Sequence, residues 1–258
     1  MKIIYLICFV GFILSFGASS ASAASAKDVR LTLESGRYDL AVEQGSALGT
    51  ADGLVLATEA LNAKLLLGEA EGKTKTAKKA MKLAKAALAL EPKNAEAQLQ
   101  YALAYGFYGR HVSTFTAWRK NLPKKILAEI DKAIALAPED GRALALKGAW
   151  HLNLLYRANG FDVEKRYGAN AGTGKTYFQN ARTSEPNDVI ILASFLMLEY
   201  VLAPDTLSGK TKLALENTLL QLKPRNAIER QVQAQMQDVY TGFSTGNALK
   251  QAEIFVNQ

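Results

Sequence analysis

A short phrase that ends in proline and then Asn or Asp recurs along the chain and limits what the chain can fold into. It reads ALALEPKN at 87–94, AIALAPED at 133–140, ARTSEPND at 181–188 and, more loosely, LLQLKPRN at 219–226. In each copy an amphipathic helical pattern ends, proline stops the helix, and Asn or Asp is suited to begin another. The repetition predicts a chain of repeated helix pairs.

Apolar residues recur at helical spacing through most of the chain. Leu99, Leu103 and Phe107, for example, share one helical face, and no stretch shows the alternation with period two that a strand requires. We therefore predict an all-α solenoid of about six antiparallel helix hairpins. Their predicted extents are 28–48, 51–90, 94–136, 140–184, 187–222 and 226–258. Long Gly, Ser or Pro linkers are lacking, so residues 27–258 are predicted to be one domain.

The N-terminal segment has the three parts of a secretory signal peptide. Lys2 supplies a positive charge, residues 3–17 are apolar and uncharged, and the small residues that follow contain the A-x-A sites 21–23 and 24–26. The apolar run is shorter than the ~20 residues of a spanning helix. We expect residues 1–23 to be a leader that is cleaved after Ala23 or Ala26. An uncleaved N-terminal anchor is the alternative.

The composition limits the cellular compartment and the kinds of binding partner that we expect. The only cysteine, Cys8, lies in the expected leader, so the mature chain is predicted to lack disulfides, which favours a bacterial periplasm. No further membrane-spanning segment is predicted. The net charge is +7, but an exported chain without a recognisable nucleic-acid motif is not expected to bind nucleic acid.

Motifs for catalysis and metal binding are weak. His111 and His151 have no His, Asp or Glu at i+3 or i+4 to complete a metal pair on a helix, and the Gly-x-Ser-x-Gly motif is absent. The segment ANAGTGKT at 169–176 fits a relaxed phosphate-loop pattern, but charged residues precede it where a strand is required. Gly-Lys-Thr also occurs at 72–74 and 209–211, so we interpret it as a helix-entry signal. No enzyme activity and no cofactor are expected.

The repeats resemble those of the tetratricopeptide repeat family. In that family small residues let two helices approach closely, and the second helix ends in proline. The residues in matching register are Leu67, Gly68, Ala80, Ala84, Ala87 and Pro92 in the second hairpin, Tyr101, Ala102, Tyr105, Ile130, Ala133 and Pro138 in the third, and Lys147, Gly148, Phe178, Ala181 and Pro186 in the fourth.

The proline spacing departs from the family pattern. Successive prolines of the phrase lie 46, 48 and 38 positions apart, whereas the family period is about 34. The extra residues fall inside the third and fourth hairpins, at about 109–121 and 159–172. Such insertions tend to lie on one face of a solenoid, often the binding face.

The family resemblance implies a concave groove that binds a partner. Its groove-facing register includes Leu99, Leu103, Phe107, Arg142, Ala149 and Asn153. The aromatic and polar segment WHLNLLYR at 150–157 adds further candidates, although its side chains could instead fill the core between helices. The candidate ligand-binding or partner-binding residues are therefore Leu103, Phe107, Arg142, Trp150, His151 and Asn153.

Two functions follow as expectations. The first is a non-catalytic periplasmic scaffold that binds a protein segment in its concave groove. The alternative is binding of a small organic ligand, because the chain also looks broadly similar to the periplasmic helical-repeat subunit that accompanies tripartite solute transporters. An open groove would favour the scaffold, and an enclosed pocket lined by aromatic residues would favour the small ligand.

Overall fold

The computed structural model describes residues 25–158 and 160–258, and within them it contains helices and no strand. The prediction of an all-α fold is confirmed. The expected leader and its first cleavage site lie outside the described residues. The helices are α1 Ala26–Glu34, α2 Tyr38–Leu48, α3 Ala51–Leu66, α4 Lys73–Leu90, α5 Ala95–His111, α6 Thr114–Arg119, α7 Leu122–Leu136, α8 Gly141–Tyr156, α9 Val163–Tyr167, α10 Ala171–Ser184, α11 Val189–Leu202, α12 Pro204–Asn217, the 3-10 turn Leu219–Gln221, α13 Ala227–Thr245 and α14 Ala248–Asn257.

The helices pair in the order that the repeats predicted. The six pairs are α1–α2, α3–α4, α5–α7, α8–α10, α11–α12 and α13–α14, and their extents match the predicted hairpins. Neighbouring pairs pack on each other in sequence, for example α2 on α3, α4 on α5 and α7 on α8, which is the arrangement of a solenoid. The short helices α6 and α9 are the extra residues that the proline spacing had located.

Each Asn or Asp that closes the proline phrase caps the following helix. Its side-chain oxygen accepts a hydrogen bond from a backbone N–H in the first turn, which would otherwise have no partner. The donor–acceptor distances are 2.9 Å for Ala97 N to Asn94, 2.8 Å for Arg142 N to Asp140, 2.8 Å for Ile191 N to Asp188 and 3.0 Å for Glu229 N to Asn226. The local rule read from sequence therefore holds at all four positions.

The predicted role of small residues holds at Gly148 and differs at Gly68. A Cβ added at Gly148 in α8 would lie 2.7 Å from Phe178 Cδ2 and 2.9 Å from the carbonyl oxygen of Gly174, so α8 and α10 pack backbone against backbone there. Gly68 instead follows the end of α3 with a φ of +75°. It is required for that left-handed conformation rather than for close helix packing.

The helix-entry interpretation of Gly-Lys-Thr is correct at one of its three sites. Gly72 directly precedes α4 and has a φ of +59°. Gly174 and Gly209 lie inside α10 and α12, so the interpretation is wrong there. At the apparent phosphate loop, Lys175 Nζ forms an ion pair with Glu199 on α11 at 2.7 Å.

The C-terminal pair α13–α14 folds back and closes the superhelix. Gln231 of α13 accepts a hydrogen bond from the hydroxyl of Tyr38 at 2.7 Å and donates one to Glu69 at 3.1 Å. The Cβ of Ala227 lies 3.0 Å from the position that a Cβ on Gly36 would take. Helix α14 packs along α11. The last hairpin thus contacts the first two and covers part of the concave side, where Ile228 of α13 faces the inner helices.

No helix in the described part of the chain combines the length and the apolar character needed to span a bilayer.

Candidate functional site: two cavities beneath the inner helices

The inner helices α3, α5, α8 and α11 surround a space that we call the concave cavity. Its volume is about 200 Å³, and Ile228 of α13 contributes to its wall. The wall is mostly apolar, which suits the hydrocarbon part of a small molecule. Its apolar residues are Ala63, Leu66, Leu99, Leu103, Phe107, Ala145, Leu146, Ala149, Phe178, Ile190, Ile191 and Ile228.

A second space, the insertion cavity, lies between α5, α7 and α8 under the two inserted helices. Its volume is about 270 Å³. Trp118 of α6 packs edge-on against Phe161, which lies just before α9, and the guanidinium of Arg166 in α9 lies 5.7 Å from the centre of the Trp118 ring. The two inserted segments therefore contact each other beside this cavity, and both contribute to its wall.

The two cavities divide the candidate residues that the sequence suggested. Leu103, Phe107 and Arg142 line the concave cavity, as do Leu99 and Ala149 of the predicted groove-facing register. Trp150 and Asn153 line the insertion cavity. His151 lines neither.

Trp150 and His151 are neighbours on α8, but only Trp150 lines a cavity. Trp150 is buried, and its indole N–H donates to the carbonyl of Pro123 at 3.0 Å, while part of the ring faces the insertion cavity. His151 points toward α10, where its Nδ1 accepts a hydrogen bond from the backbone N–H of Asn170 at 3.1 Å. Burial, followed by the nearby Lys147, lowers the pKa of His151. The core interpretation left open from sequence describes His151 best.

Most charges around the concave cavity belong to ion pairs. Burial alone would lower the pKa of Arg142, but Glu96 and Asp140 more than offset that effect and raise it. Burial raises the pKa of Glu59. The pairs are Arg142–Glu96, Glu59–Arg30 and Asp188–Arg225, with N–O distances of 2.6, 2.7 and 2.6 Å. These groups are already engaged with one another, so they are poor candidates for binding a charged ligand.

Arg110 is different, and it is the residue that sequence reasoning missed. It lies at the end of α5, three positions after Phe107, and it borders both cavities. Its guanidinium lies 5.2 Å from the centre of the Phe107 ring and donates to the backbone oxygen of Gln258 at 3.2 Å. Among the described residues no Asp or Glu lies within 4.0 Å of it.

Burial, followed by repulsion from Arg157, lowers the pKa of Arg110 to about 10. The side chain therefore stays positively charged at neutral pH, although it is partly buried. The continuation of the 99–103–107 register to position 110 was the only sequence signal for it. Its contact with Gln258 could not be read from sequence, because that contact depends on which residues surround the helix end.

Each cavity also borders an amide oxygen without a hydrogen-bond donor in the described structure. Asn62 uses its amide nitrogen for the carbonyl and side-chain oxygens of Gln100, at 3.0 and 2.8 Å, and Asn153 uses its own for the carbonyl of Ala149 at 2.9 Å. Those bonds fix both amide orientations. They leave Asn62 Oδ1 and Asn153 Oδ1 buried and unpaired, so each can accept from a ligand hydroxyl or N–H.

In the described ranges, His, Cys, Asp and Glu side chains form no cluster of three or more that could hold a metal ion. The polar groups at the two cavities are instead arginine and amide side chains.

The fold and the cavities define an all-α helical-repeat protein whose C-terminal hairpin covers part of the concave face. The family model for regulator of microtubule dynamics protein 1-3 matches residues 54–156, which extend from α3 through α8. The chain is thus similar to that family over less than half of its length, in a region that includes most walls of both cavities. No curated protein matches the chain. Because the matching model is not a tetratricopeptide one, the resemblance to that family remains a prediction.

Proposed function

We propose that this protein binds a small organic ligand, without catalysis, in the cavities beneath its inner helices. The observation that carries the proposal is the position of α13–α14. Ile228 of α13 lies in the wall of the concave cavity, and Gln231 bonds to Tyr38 and Glu69, so this pair turns part of the groove into a partly enclosed space. A preformed apolar space with a few polar groups requires little reorganisation to bind a ligand.

The expected leader and the resemblance to a transporter-associated subunit extend this proposal. The protein would then be exported to the periplasm, with cleavage after Ala23 or Ala26, and would deliver its ligand to a membrane transporter. The name of the matching family refers to microtubule dynamics. We do not extend that role to this chain, since the match ends at α8 and an exported protein would not meet microtubules.

A tetratricopeptide-like scaffold for a protein segment is the second candidate. For a segment in the concave groove, α13 narrows the available space, because Ile228 lies in its wall. The inserted helices offer a different surface, because Phe115 of α6 is 73% exposed and Phe161 is 48% exposed. Exposed aromatic side chains of this kind are typical of protein contacts.

Replacement of Ala149 by Phe is the sharpest test of the ligand-binding proposal, because Ala149 lines both cavities. The larger side chain occupies the space where a ligand would bind. We expect the wild-type protein, purified from native periplasm, to carry a small molecule that mass spectrometry detects. The Ala149→Phe variant should carry at least tenfold less of it.

Ala89→Phe is the matched control, because Ala89 lies on the exposed face of α4. This variant should retain the small molecule at the wild-type level. Recovery of a protein partner without any small molecule, unchanged by Ala149→Phe, would reject the proposal in favour of the scaffold.

A further inference from the structure

We infer that the two inserted segments and the lysines of α4 form one surface that docks on an anionic lipid bilayer. This aromatic–basic surface consists of the exposed lysines of α4, the exposed side chains of residues 113–125 and the ring of Phe161. The inference concerns the outside of the protein, and it does not depend on what occupies the two cavities.

The charge of the surface is the first argument. Residues 73–90, which form α4, and residues 113–125 together contain ten lysine and arginine side chains and no Asp or Glu. Nine of the ten side chains are exposed, and none of them has a carboxylate within 4.0 Å in the part of the chain that the structure describes. Residues 161–167 of the second insertion carry two acidic and two basic side chains, so they leave this excess unchanged. Such an excess attracts an anionic partner.

Contacts between the helices show that these charges belong to one surface. Lys120 Nζ donates to the hydroxyl of Tyr108 in α5 at 3.5 Å, and Lys78 Nζ of α4 lies 5.6 Å from the centre of the same Tyr108 ring. Tyr108 therefore connects the lysines of α4 to the first insertion. Trp118 in turn packs edge-on against Phe161, which connects the first insertion to the second.

The exposed aromatic rings are the second argument. Phe115 and Phe161 are both exposed, and neither ring lines the concave cavity or the insertion cavity. Exposed apolar rings beside lysines are typical of segments that lie in a membrane interface. The rings enter the boundary between head groups and acyl chains, while the ammonium groups meet the lipid phosphates. The aromatic–basic surface offers both kinds of group.

The excess of lysine over arginine favours a lipid surface over an acidic protein segment. Nine of the ten cations are lysine, and Arg119 is the exception. Lysine is depleted at protein–protein interfaces, where the planar fork of arginine binds carboxylates in a fixed geometry. A mobile ammonium group instead suits lipid phosphates, which have no fixed positions. We therefore assign this surface to a bilayer and not to the partner of the scaffold candidate.

Co-sedimentation with phosphatidylcholine vesicles, with and without about 30% phosphatidylglycerol, tests the inference. We expect the wild-type protein to bind the anionic vesicles about tenfold more tightly than the neutral ones, or more. That preference should largely disappear in about 1 M salt, where the charges are screened.

The double variant Lys124→Glu, Lys125→Glu reverses two charges of the surface. Each cation near an anionic bilayer strengthens binding roughly fivefold, so this variant should bind the anionic vesicles at least about tenfold more weakly. Both side chains are exposed in the first turn of α7, where glutamate is favourable, so folding should be preserved. The matched control is Lys210→Glu, Lys212→Glu, which makes the same change of charge at exposed positions of α12 and should retain most of the binding.

Phe115→Ser tests the aromatic part of the surface. The ring is exposed, so the variant should fold normally, yet it should bind the anionic vesicles about tenfold more weakly because one inserted ring is lost. Equal binding of anionic and neutral vesicles by the wild-type protein would overturn the inference. Equal losses in the two lysine variants, or unchanged binding of Phe115→Ser, would also overturn it. A protein partner that Phe115→Ser fails to bind, with no vesicle binding by the wild-type protein, would assign the surface to the scaffold instead.

Discussion

Replacement of Arg225 by Met is expected to lower the free energy of unfolding by about 2–3 kcal/mol. Arg225 lies in the loop before α13 and connects that helix to α11. Its Nε and backbone N–H each donate to Glu229 at 2.6 Å, and its Nη2 donates to Asp188 at 2.6 Å. The side chains of Glu229 and Asp188 are only 1% and 6% exposed.

The expected loss of stability in Arg225→Met arises because the buried carboxylates of Glu229 and Asp188 remain without their partner. Removing one member of a buried ion pair leaves the other charge desolvated and uncompensated, which is typically worth about 3–5 kcal/mol. Arg225 itself is 52% exposed, so water reaches the site and reduces the loss. Because the same contacts hold α13 over the concave cavity, the variant should also expose that cavity to solvent.

Urea unfolding of Arg225→Met and of the exposed control Arg182→Met measures the difference. The double variant Arg225→Met, Glu229→Gln should recover part of the lost stability, since it removes one of the stranded charges. Equal stability of Arg225→Met and Arg182→Met would show that α13 is held in place by its apolar contacts alone.

Replacement of Gly148 by Ala is expected to destabilise the protein by about 2 kcal/mol, although alanine is the better helix former. The new Cβ would lie 2.7 Å from Phe178 Cδ2 and 2.9 Å from the Gly174 carbonyl oxygen. Phe178 is fully buried, and the carbonyl belongs to the backbone of α10. Relief of the overlap requires α8 and α10 to move apart, which opens the core between them.

Gly209→Ala is the matched control for this prediction. Gly209 also lies inside a helix, α12, but a Cβ there would meet nothing within 4 Å. Only helix propensity then acts, and the change should stabilise the protein by about 0.5–1 kcal/mol. Thermal and urea unfolding of the two variants should therefore differ in sign. A stabilising Gly148→Ala would mean that α8 and α10 can separate at little cost.

Gly174 and Gly209 show how much a short sequence motif can predict in this chain. Both glycines begin a Gly-Lys-Thr motif, which suggested that each lies at a helix entry. Both in fact lie inside helices. The structure places Gly174 against His151 and Leu152 of α8 and leaves Gly209 in open space. The difference arises because close packing depends on the opposite helix, which a three-residue motif does not encode.

For the candidate site, the sequence predicted which residues face the concave side but not what they contact there. The family register placed Leu103, Phe107 and Arg142 toward the groove, and all three lie in the wall of the concave cavity. It did not show which group each arginine side chain would contact. Arg142 is held by the side chain of Glu96 from α5, whereas Arg110 donates to the main-chain oxygen of Gln258. Neither relationship is visible within a single repeat.

The sequence by itself determined the helices, their pairing and the two insertions. This was possible because a proline stop and an Asn or Asp cap act over about four residues, and the chain repeats that signal at 94, 140, 188 and 226. Only the tertiary structure decided that α13–α14 returns to the first two hairpins and that Arg110 contacts Gln258. Those features depend on residues far apart in sequence, such as Tyr38 with Gln231 and Arg110 with Gln258, whose meeting is set by the curvature of the whole superhelix.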